Sequence, residues 1–420
     1  MIFLNKEMFT KISKSYLAVM VMFCVVMICA ATAYAIQYSG GLIRTNLSNG
    51  FSWGLYVSGL AFFVGNAAGG LVLSSSIYMF GLSNLKPFAR LGALTAFVNV
   101  VAAMLSILPD IGQPLRLWHL IVYPQFTSPL VWDVIVLNIY AALTLLYLGV
   151  LVLPDLPDPL KKLMVRLGDL DQFSNKWARR LAPAALLFAA SIHIVTAWIF
   201  STQGGREWWF SAAMAPDFIS VAVMAGTTVV LLSSILLFGI KEQYRSAYTT
   251  MAGFICAAFI IHVFLMYNDM FIKTWYHAEN GMHAINLLFG DFMAAHIFEV
   301  TAPLLAVLLL LGRSVWKSKA CLVGTCLLLL SGVMVHRYLI MPPGFNVQPL
   351  TFNPVGHQMM QWSYPVASGR WVDGLNTFAV TWRYFPSGVE WMIFGGVCAF
   401  VCFAIGLGAM LLPIAVSEKH

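Results

Sequence analysis

Ionisable side chains inside the long apolar segments of this chain are concentrated toward one end of each segment. Burying such a group in hydrocarbon is costly, so an ionisable residue there marks a ligand or proton site by default. Carboxylates and imidazoles also exchange protons with a bound substrate. The pattern therefore predicts a site that opens toward one membrane face, formed by some of Asp133, His193, Asp217, His262, Asp269, Asp291, His296, Glu299, His336, Arg337 and Glu390.

The elements that position these residues follow from composition. The chain is 60% hydrophobic and only 10% charged, whereas soluble domains carry about 25% charged residues. A lone strand cannot satisfy its backbone in lipid, so each apolar window of about 20 residues is expected to be a helix. We predict an all-α polytopic membrane protein, a single integral membrane domain over 1–420, with about ten transmembrane helices near 15–36, 53–81, 88–109, 129–153, 181–201, 215–240, 247–270, 289–312, 320–340 and 389–415.

The basic residues predict the orientation of the helices. Seventeen Lys and Arg lie in the N-terminus, the C-terminus and the connections on their side, against seven on the opposite side. This positive-inside bias places both termini in the cytoplasm, with the protein in the inner membrane. The pI of about 9.0 reflects the basic residues on the cytoplasmic side, which face anionic lipid. No nucleic-acid partner is therefore expected. The first apolar run ends in a signal-peptide-like Ala33-Tyr34-Ala35, but it is longer than a usual signal core, and we expect it to be retained.

The ionisable residues have structural as well as functional interpretations. Asp217 and Glu390, like Asp291, stand in the first turn of a predicted helix, where a carboxylate is expected to act as a cap. His296 and Glu299 are three residues apart on one helix face and are expected to form a hydrogen-bonded pair, either structural or proton-relaying. His262 is a further candidate for this relay.

The cysteines give no sign of a metal centre. All seven lie inside apolar spans, and the loops contain neither a CxxC nor a Cys/His cluster. Iron–sulfur ligation and structural disulfides are therefore not expected, nor is a metal site.

Two stretches resemble a known family of membrane proteins. Residues 110–119 read DIGQPLRLWH and residues 128–133 read SPLVWD, which is similar to the pattern D-x-G-R-P-x-R-x-W followed by S-P-x-x-W of the NrfD/PsrC family. Further matches are NGFSWG at 49–54 and YFPS at 384–387, before Glu390. The ten-span layout resembles the HybB/DsrP-like branch. Two positions depart from the pattern: Gln113 replaces a frequent Arg, and Asp133 adds a carboxylate where many members have Gly.

The resemblance implies a duplicated architecture. Two four-helix bundles are expected at 53–201 and 215–340, with flanking helices at 15–36 and 389–415. The apolar run at 71–81 in the second span resembles that at 229–239 in the sixth, as a duplication predicts. The segment 341–388 is expected to form a long outer-face loop, whose aromatic, weakly charged sequence suits a platform for another protein.

The resemblance also implies a quinone-interacting subunit of a respiratory redox complex. A quinone needs an apolar slot, donors to its carbonyl oxygens and a group that exchanges protons with water. We expect Asp133 and His193 to exchange these protons. Asp110 and Arg116 could instead merely pair with each other and hold their loop. The expected quinone pocket consists of Trp53, Tyr56, Asp110, Arg116 and His119.

Cofactors and partners follow from the same resemblance. The cofactor is expected to be menaquinone or ubiquinone, with no haem or iron–sulfur cluster on this chain. Electrons would pass through a ferredoxin-like iron–sulfur subunit on the outer, periplasmic face, joined to further catalytic or cytochrome subunits. Protons would be exchanged on that face, because the inner half of the spans offers no acids or histidines.

Two other classes of function remain open from the sequence. A b-type cytochrome would use helix histidines such as His193, His262, His296 and His336 as haem ligands. A secondary transporter is suggested by polar residues near mid-membrane and by the internal repeat. A visible absorption spectrum distinguishes the first alternative, and substrate flux by the isolated chain distinguishes the second.

Overall fold

A computed structural model describes residues 14–157, 161, 164, 168–277, 279–346, 351–352, 362–363, 366–367, 378–379 and 384–414. Within these ranges ten helical segments are long and apolar enough to cross a membrane. The prediction of an all-α polytopic membrane protein with about ten spans is therefore confirmed. Most of the 341–388 segment, and with it the predicted docking platform, lies outside the described residues.

The long helices are numbered in chain order. They are α1 (Lys14–Gly40), α2 (Leu55–Met79), α3 (Ala89–Ile107), α4 (Pro129–Val152), α5 (Leu170–Ser201), α6 (Met214–Phe238), α7 (Arg245–Trp275), α8 (Met293–Leu311), α9 (Lys319–Leu339) and α10 (Gly388–Leu411). Shorter α-helices are His119–Val122, Glu279–Phe289 and Met341–Asn346. Two-residue strands pair as Thr351–Phe352 with Trp362–Ser363, and as Val366–Ala367 with Phe378–Ala379.

The helices extend beyond the apolar windows where polar residues continue the helix. The fifth helix begins at Leu170 instead of near 181, because Asp169 caps it by accepting hydrogen bonds from the backbone N–H groups of Asp171 and Gln172. The connection 271–288, predicted as a loop, contains the helix Glu279–Phe289. A hydropathy window detects lipid-facing length and misses such polar or amphipathic turns.

Helix contacts form two rings. Consecutive helices from α2 to α5 touch, and α5 returns to α2; the helices α6 to α9 close in the same way. Helix α2 is almost completely buried and contacts both rings. Its Gly69 packs directly on Gly226 of α6, where a Cβ on Gly69 would lie 2.5 Å from the Gly226 Cα. Only glycine allows the two backbones to approach this closely.

The terminal helices α1 and α10 pack against each other, and α10 also contacts α3. We call the end of the molecule that carries the N-termini of α2, α4, α6, α8 and α10 the outer end, following the predicted orientation, and the opposite end the inner end.

Candidate functional site

Four titratable side chains toward the outer end of the second ring, three of them buried and His336 half-buried, are joined in pairs. The His262 Nδ1 lies 2.6 Å from the Asp217 Oδ1. The His336 Nδ1 lies 3.0 Å from the Glu299 Oε2. The first pair therefore joins α6 to α7, and the second joins α8 to α9.

The pairs extend into one continuous network. His336 Nε2 lies 3.4 Å from the second carboxylate oxygen of Asp217, without the geometry of a hydrogen bond. The Glu299 Oε1 is 2.5 Å from the His296 Nδ1, and the Tyr267 hydroxyl is 3.5 Å from the His296 Nε2. We call Asp217, His262, His296, Glu299 and His336 the imidazole–carboxylate network. It can hold a proton at several adjacent positions.

These contacts decide two sequence predictions. The expected pairing of His296 with Glu299 is confirmed. The expectation that Asp217 caps a helix is wrong, because its carboxylate faces His262 and His336 instead of the first backbone N–H groups of α6. An imidazole inside the helix bundle is a stronger partner for a carboxylate than a helix end near water.

A cavity of about 70 Å³ adjoins this network. Asp217, Glu299 and His336 line it on one side, and Phe218 and Met266 contribute apolar wall. Its volume is sufficient for several water molecules. The network is therefore not sealed into the core but borders a space that a small polar molecule can occupy.

The cavity wall toward the outer end is held by an ion pair. The Lys273 Nζ lies 2.5 Å from one oxygen of Asp269, whose other oxygen accepts a hydrogen bond from the Ser211 hydroxyl at 2.5 Å. Lys273 also donates to the backbone carbonyl of Trp208 at 3.0 Å. Asp269, Ser211 and Trp208 all line the cavity, so this bonded group fixes its shape.

Arg337 is completely buried beside the network. Its guanidinium carbon lies 3.9 Å from the centroid of the Phe218 ring, and its Nη2 donates to the Phe218 carbonyl oxygen at 3.4 Å. The Nε and Nη1 atoms have no partner within the described part of the chain. Sequence alone suggests only an interfacial role for Arg337. The signal that could have found it is its position next to His336 in an apolar helix.

His193 and Asp133, the predicted proton-exchange residues, lie in the first ring. Asp133 accepts a hydrogen bond of 2.6 Å from the Thr196 hydroxyl, which is about one turn from His193 on α5. His193 is 1% exposed, and neither ring nitrogen has a partner among the described residues. Two buried nitrogens without partners are unusual and mark a place where water or a ligand can bind.

Trp53 and Tyr56, two members of the predicted quinone pocket, have structural partners. Trp53 stacks on Trp209 with 5.8 Å between ring centroids and 19° between planes. The Tyr56 hydroxyl donates to the Gln37 Oε1 at 2.5 Å. Both contacts hold the outer end of α2 against its neighbours.

The other three residues of the predicted quinone pocket differ in exposure. They are Asp110, Arg116 and His119. Asp110 is partly buried, and burial together with the nearby Glu390 carboxylate raises the pKa of Asp110 to about 7. Arg116 and His119 are exposed, and His119 packs on the Trp118 ring with 3.9 Å between centroids. No ion pair joins Asp110 to Arg116 within the described residues. The alternative, in which Asp110 and Arg116 pair with each other and hold their loop in place, is therefore not seen.

Glu390 performs the capping role predicted for it. Its carboxylate accepts from the Ser387 backbone N–H, and the Ser387 hydroxyl accepts from the Glu390 N–H, which is a capping box. The carboxylate also accepts from Asn46 N–H and from the Tyr384 hydroxyl. The Tyr384 oxygen in turn accepts from Leu55 N–H at 2.8 Å, so this cluster ties the start of α10 to the start of α2.

The geometry of the network bears on metal binding. Ligand atoms of Asp217, His262 and His336 lie within 4.8 Å of one another, so these residues could hold an ion. However, the His262 nitrogen and the Asp217 oxygen are 2.6 Å apart, whereas two ligands of one zinc ion are separated by about 3.3 Å at normal bond lengths. The described conformation fits a hydrogen-bonded network better than a metal centre.

The fold and this site define a multi-pass membrane protein with a titratable network near one end of its bundle. A family model described as polysulphide reductase, NrfD, matches residues 44–349. The chain belongs to this family, which confirms the resemblance drawn from the 110–133 motifs.

Individual relatives agree with this membership. The chain is 32% identical to a protein of Halobacterium salinarum named as a putative membrane component of dimethyl sulfoxide reductase, over 91% of this chain and 88% of the relative. It is 24% identical to a selenate reductase component of Mesobacillus selenatarsenatis, over 92% and 91%. It is 27% identical to an Hdr-like menaquinol oxidoreductase integral membrane subunit of Archaeoglobus fulgidus, over 52% and 50%.

Proposed function

We propose that this chain is the membrane subunit of a quinone-linked oxidoreductase complex and exchanges protons with a quinone near the outer end. The observation that carries the proposal is the cavity lined by Asp217, Glu299 and His336. A quinone supplies two-electron chemistry coupled to two protons. The relatives named as reductase components and as a menaquinol oxidoreductase subunit support this class of reaction.

The network residues would bind the headgroup and manage its protons. With the His336 Nδ1 bonded to Glu299, the Nε2 faces Asp217 and can donate to, or accept from, an oxygen in the cavity. His262 holds the Asp217 carboxylate in place, and His296 does the same for Glu299. The two carboxylates can thus accept protons in turn while each keeps a bonded imidazole.

Asp133 and His193 remain our second candidate for proton exchange. Their buried positions and the unpartnered ring of His193 support a ligand or water at that point.

The electron partner is proposed to be a ferredoxin-like iron–sulfur subunit at the outer end, with further catalytic subunits beyond it. The connection between α3 and α4 offers a surface for such a partner. Leu115, Ile121 and Tyr123 there are 76%, 82% and 72% exposed. Large exposed apolar side chains in a connection between helices are typical of a protein or membrane contact.

The b-type cytochrome alternative gains no support from the best-placed histidines. The His262 and His336 ring centroids are 4.6 Å apart at an interplanar angle of 74°. Both rings face the same carboxylate, Asp217. This spacing leaves no room for a porphyrin between the two rings.

Quinone-linked turnover of the purified complex tests the proposal. We expect Asp217→Asn and His336→Gln each to lower turnover about 100-fold, the effect of losing a general acid–base group. Dye-linked activity of the partner subunits should stay unchanged. His283→Gln, an exposed imidazole on the helix Glu279–Phe289, is the matched control and should keep full turnover.

The same assay separates the two candidate positions. If Asp133→Asn and His193→Gln abolish turnover while Asp217→Asn and His336→Gln do not, the quinone chemistry belongs to the first ring. If none of the four variants changes turnover, the proposed proton-exchange role is wrong.

A further inference from the structure

The cavity beside the imidazole–carboxylate network carries one acidic side chain that takes no part in the proposed headgroup chemistry. Among its lining residues within the described part of the chain, four have titratable side chains: Asp217, Glu299, His336 and Asp269. The first three belong to the network. Asp269 lies apart from them on α7, seven residues beyond His262 toward the outer end, which is a distance of about 10 Å along the helix.

Exposure decreases from Asp269 toward the network. The side chain of Asp269 is 24% exposed, whereas those of Asp217 and His336 are 13% and 12% exposed and that of Glu299 is 3% exposed. The adjacent Asn268 is exposed as well, which fits a position at the aqueous boundary, because a charged group in hydrocarbon is costly. Asp269 is therefore the titratable lining group with the best access to water.

The Asp269 carboxylate is fixed in position but can still bind water. One oxygen accepts from the Lys273 Nζ and the other accepts from the Ser211 hydroxyl, each at 2.5 Å. The Ser211 oxygen also accepts from the Ala213 backbone N–H at 3.1 Å, which holds the hydroxyl in its orientation. A carboxylate oxygen accepts up to two hydrogen bonds. Each Asp269 oxygen therefore keeps one acceptor position for water in the cavity.

We propose that Asp269 is the proton-entry residue of this cavity, through which protons pass between the outer solution and the network. During quinol oxidation, a proton leaves Asp217 or Glu299, moves through cavity water to the Asp269 carboxylate and is released outside. During quinone reduction the proton moves in the opposite direction. Only O–H bonds form and break in this step, and no electron moves. The inference rests on the proposed function, because the network must have protons to exchange.

A purely structural role for Asp269 makes a different prediction. In that case the carboxylate only anchors Lys273 and Ser211 and thereby holds the cavity wall, so a proton carrier added from solution has no effect. A proton-entry role instead predicts that a small weak acid in the cavity replaces the missing carboxylate. Chemical rescue therefore separates the two roles, which loss of activity alone does not.

Quinone-linked turnover of the purified complex, measured with and without acetate, tests the inference. We expect Asp269→Asn to lower turnover about 100-fold and acetate to raise it again about tenfold, because a mobile acid partly replaces a lost proton-transfer group. Asp269→Ser leaves more space for acetate and should be slowed and rescued in the same way. Asp269→Glu keeps a carboxylate and should retain most of the turnover. Pivalate, a bulkier acid of similar strength, should rescue much less than acetate.

Glu207→Gln is the matched control. Glu207 is a carboxylate in the outer-end connection between α5 and α6, where it accepts a hydrogen bond of 2.6 Å from the Gly281 N–H, and it does not line the cavity. The amide keeps this acceptor, so the variant should show the turnover of the unmodified complex and no response to acetate. Acetate should also leave the dye-linked activity of the partner subunits unchanged.

Two outcomes overturn the inference. They are full turnover of Asp269→Asn and Asp269→Ser, and a loss of turnover in these variants that acetate does not reverse. In both cases the proposed function stands if Asp217→Asn and His336→Gln are slow. If those two variants keep full turnover, the proposed function itself is wrong, whatever the Asp269 variants show.

Discussion

At the scale of single residues, the same side-chain types serve two purposes in this protein. Glu390 is fully paired in a capping cluster, whereas Asp217 joins two imidazoles next to a cavity. Both are carboxylates in the first turn of a helix. The two carboxylates differ in the helices that pack beside them. The position of a carboxylate in the sequence does not reveal these neighbours.

Asp110 provides a prediction about pH. Its pKa of about 7 in the folded protein lies above the ordinary value near 4 in an unfolded chain. The folded state therefore holds this proton more tightly, and its stabilising contribution is lost as pH rises from about 4 through 7. Asp110→Asn should be more stable than the unmodified chain by up to about 4 kcal/mol at pH 8 and nearly equally stable at pH 4.

Thermal unfolding of the purified chain between pH 4 and pH 8 measures this effect. Asp171→Asn, an exposed carboxylate near the start of α5, is the control and should show no comparable change with pH. A stability difference for Asp110→Asn that is the same at both ends of the range would contradict the raised pKa.

Residue types and spacing predicted part of this site. The one-sided distribution of ionisable side chains identified every member of the imidazole–carboxylate network, and the spacing of His296 and Glu299 predicted their bond. The contact of Asp217 with His262 and His336 could not be predicted, because it joins residues far apart in sequence through the packing of α6, α7 and α9. The unpaired nitrogens of Arg337 depend on the same packing.

At the scale of helices, close backbone contact sets the relation between the two rings. Gly69 and Gly226 meet where α2 crosses α6, and a Cβ on Gly226 would lie 2.5 Å from the Gly69 Cα. The backbone cannot move away without shifting α2, which is almost completely buried. The position of each ring relative to the other therefore depends on these two residues.

Gly226→Val should consequently destabilise the protein by about 3 kcal/mol or more, since overpacking here acts on backbone atoms and not on a flexible side chain. Fluorescence-detected size exclusion of the heated protein measures the loss. Gly149→Ala on α4, where an added Cβ meets nothing within 4 Å, is the control and should retain unmodified stability. Equal stability of the two variants would show that the α2–α6 crossing can relax.

Hydropathy predicted the number of spans but not all of their ends. The apolar windows identified ten helices because a helix that crosses the membrane needs about 20 consecutive apolar residues, which the sequence shows directly. The early start of α5 at Leu170 depends on the Asp169 cap, and the helix Glu279–Phe289 is amphipathic instead of uniformly apolar. Neither property raises mean hydropathy over a window of about 20 residues.

At the scale of the whole molecule, the cavity beside the network lies toward the outer end. A second cavity, lined by residues such as Phe62, Leu330 and Ile405, crosses the middle of the helices and extends toward the inner end. Which of these ends faces the cytoplasm is predicted only from the distribution of Lys and Arg. The side on which protons are exchanged depends on that orientation.

Cysteine labelling in intact cells tests it. A membrane-impermeant maleimide should modify Gly204→Cys, on an exposed outer-end connection, but not Lys241→Cys, on an exposed inner-end connection. The unmodified chain gives the background from its native cysteines. Labelling of Lys241→Cys alone would reverse the orientation and place the network cavity on the cytoplasmic side.

The pairing of α1 with α10 has a consequence for biosynthesis. Helix α1 is the least buried of the described spans, and its main helical neighbour is the last one. Because α1 is made before α10, it lacks its main helical partner until α10 has been inserted. Truncation before α10 would leave α1 without this partner and would open to lipid the cavity lined by Tyr16, Met20, Val401 and Ile405, between these two helices and the rest of the bundle.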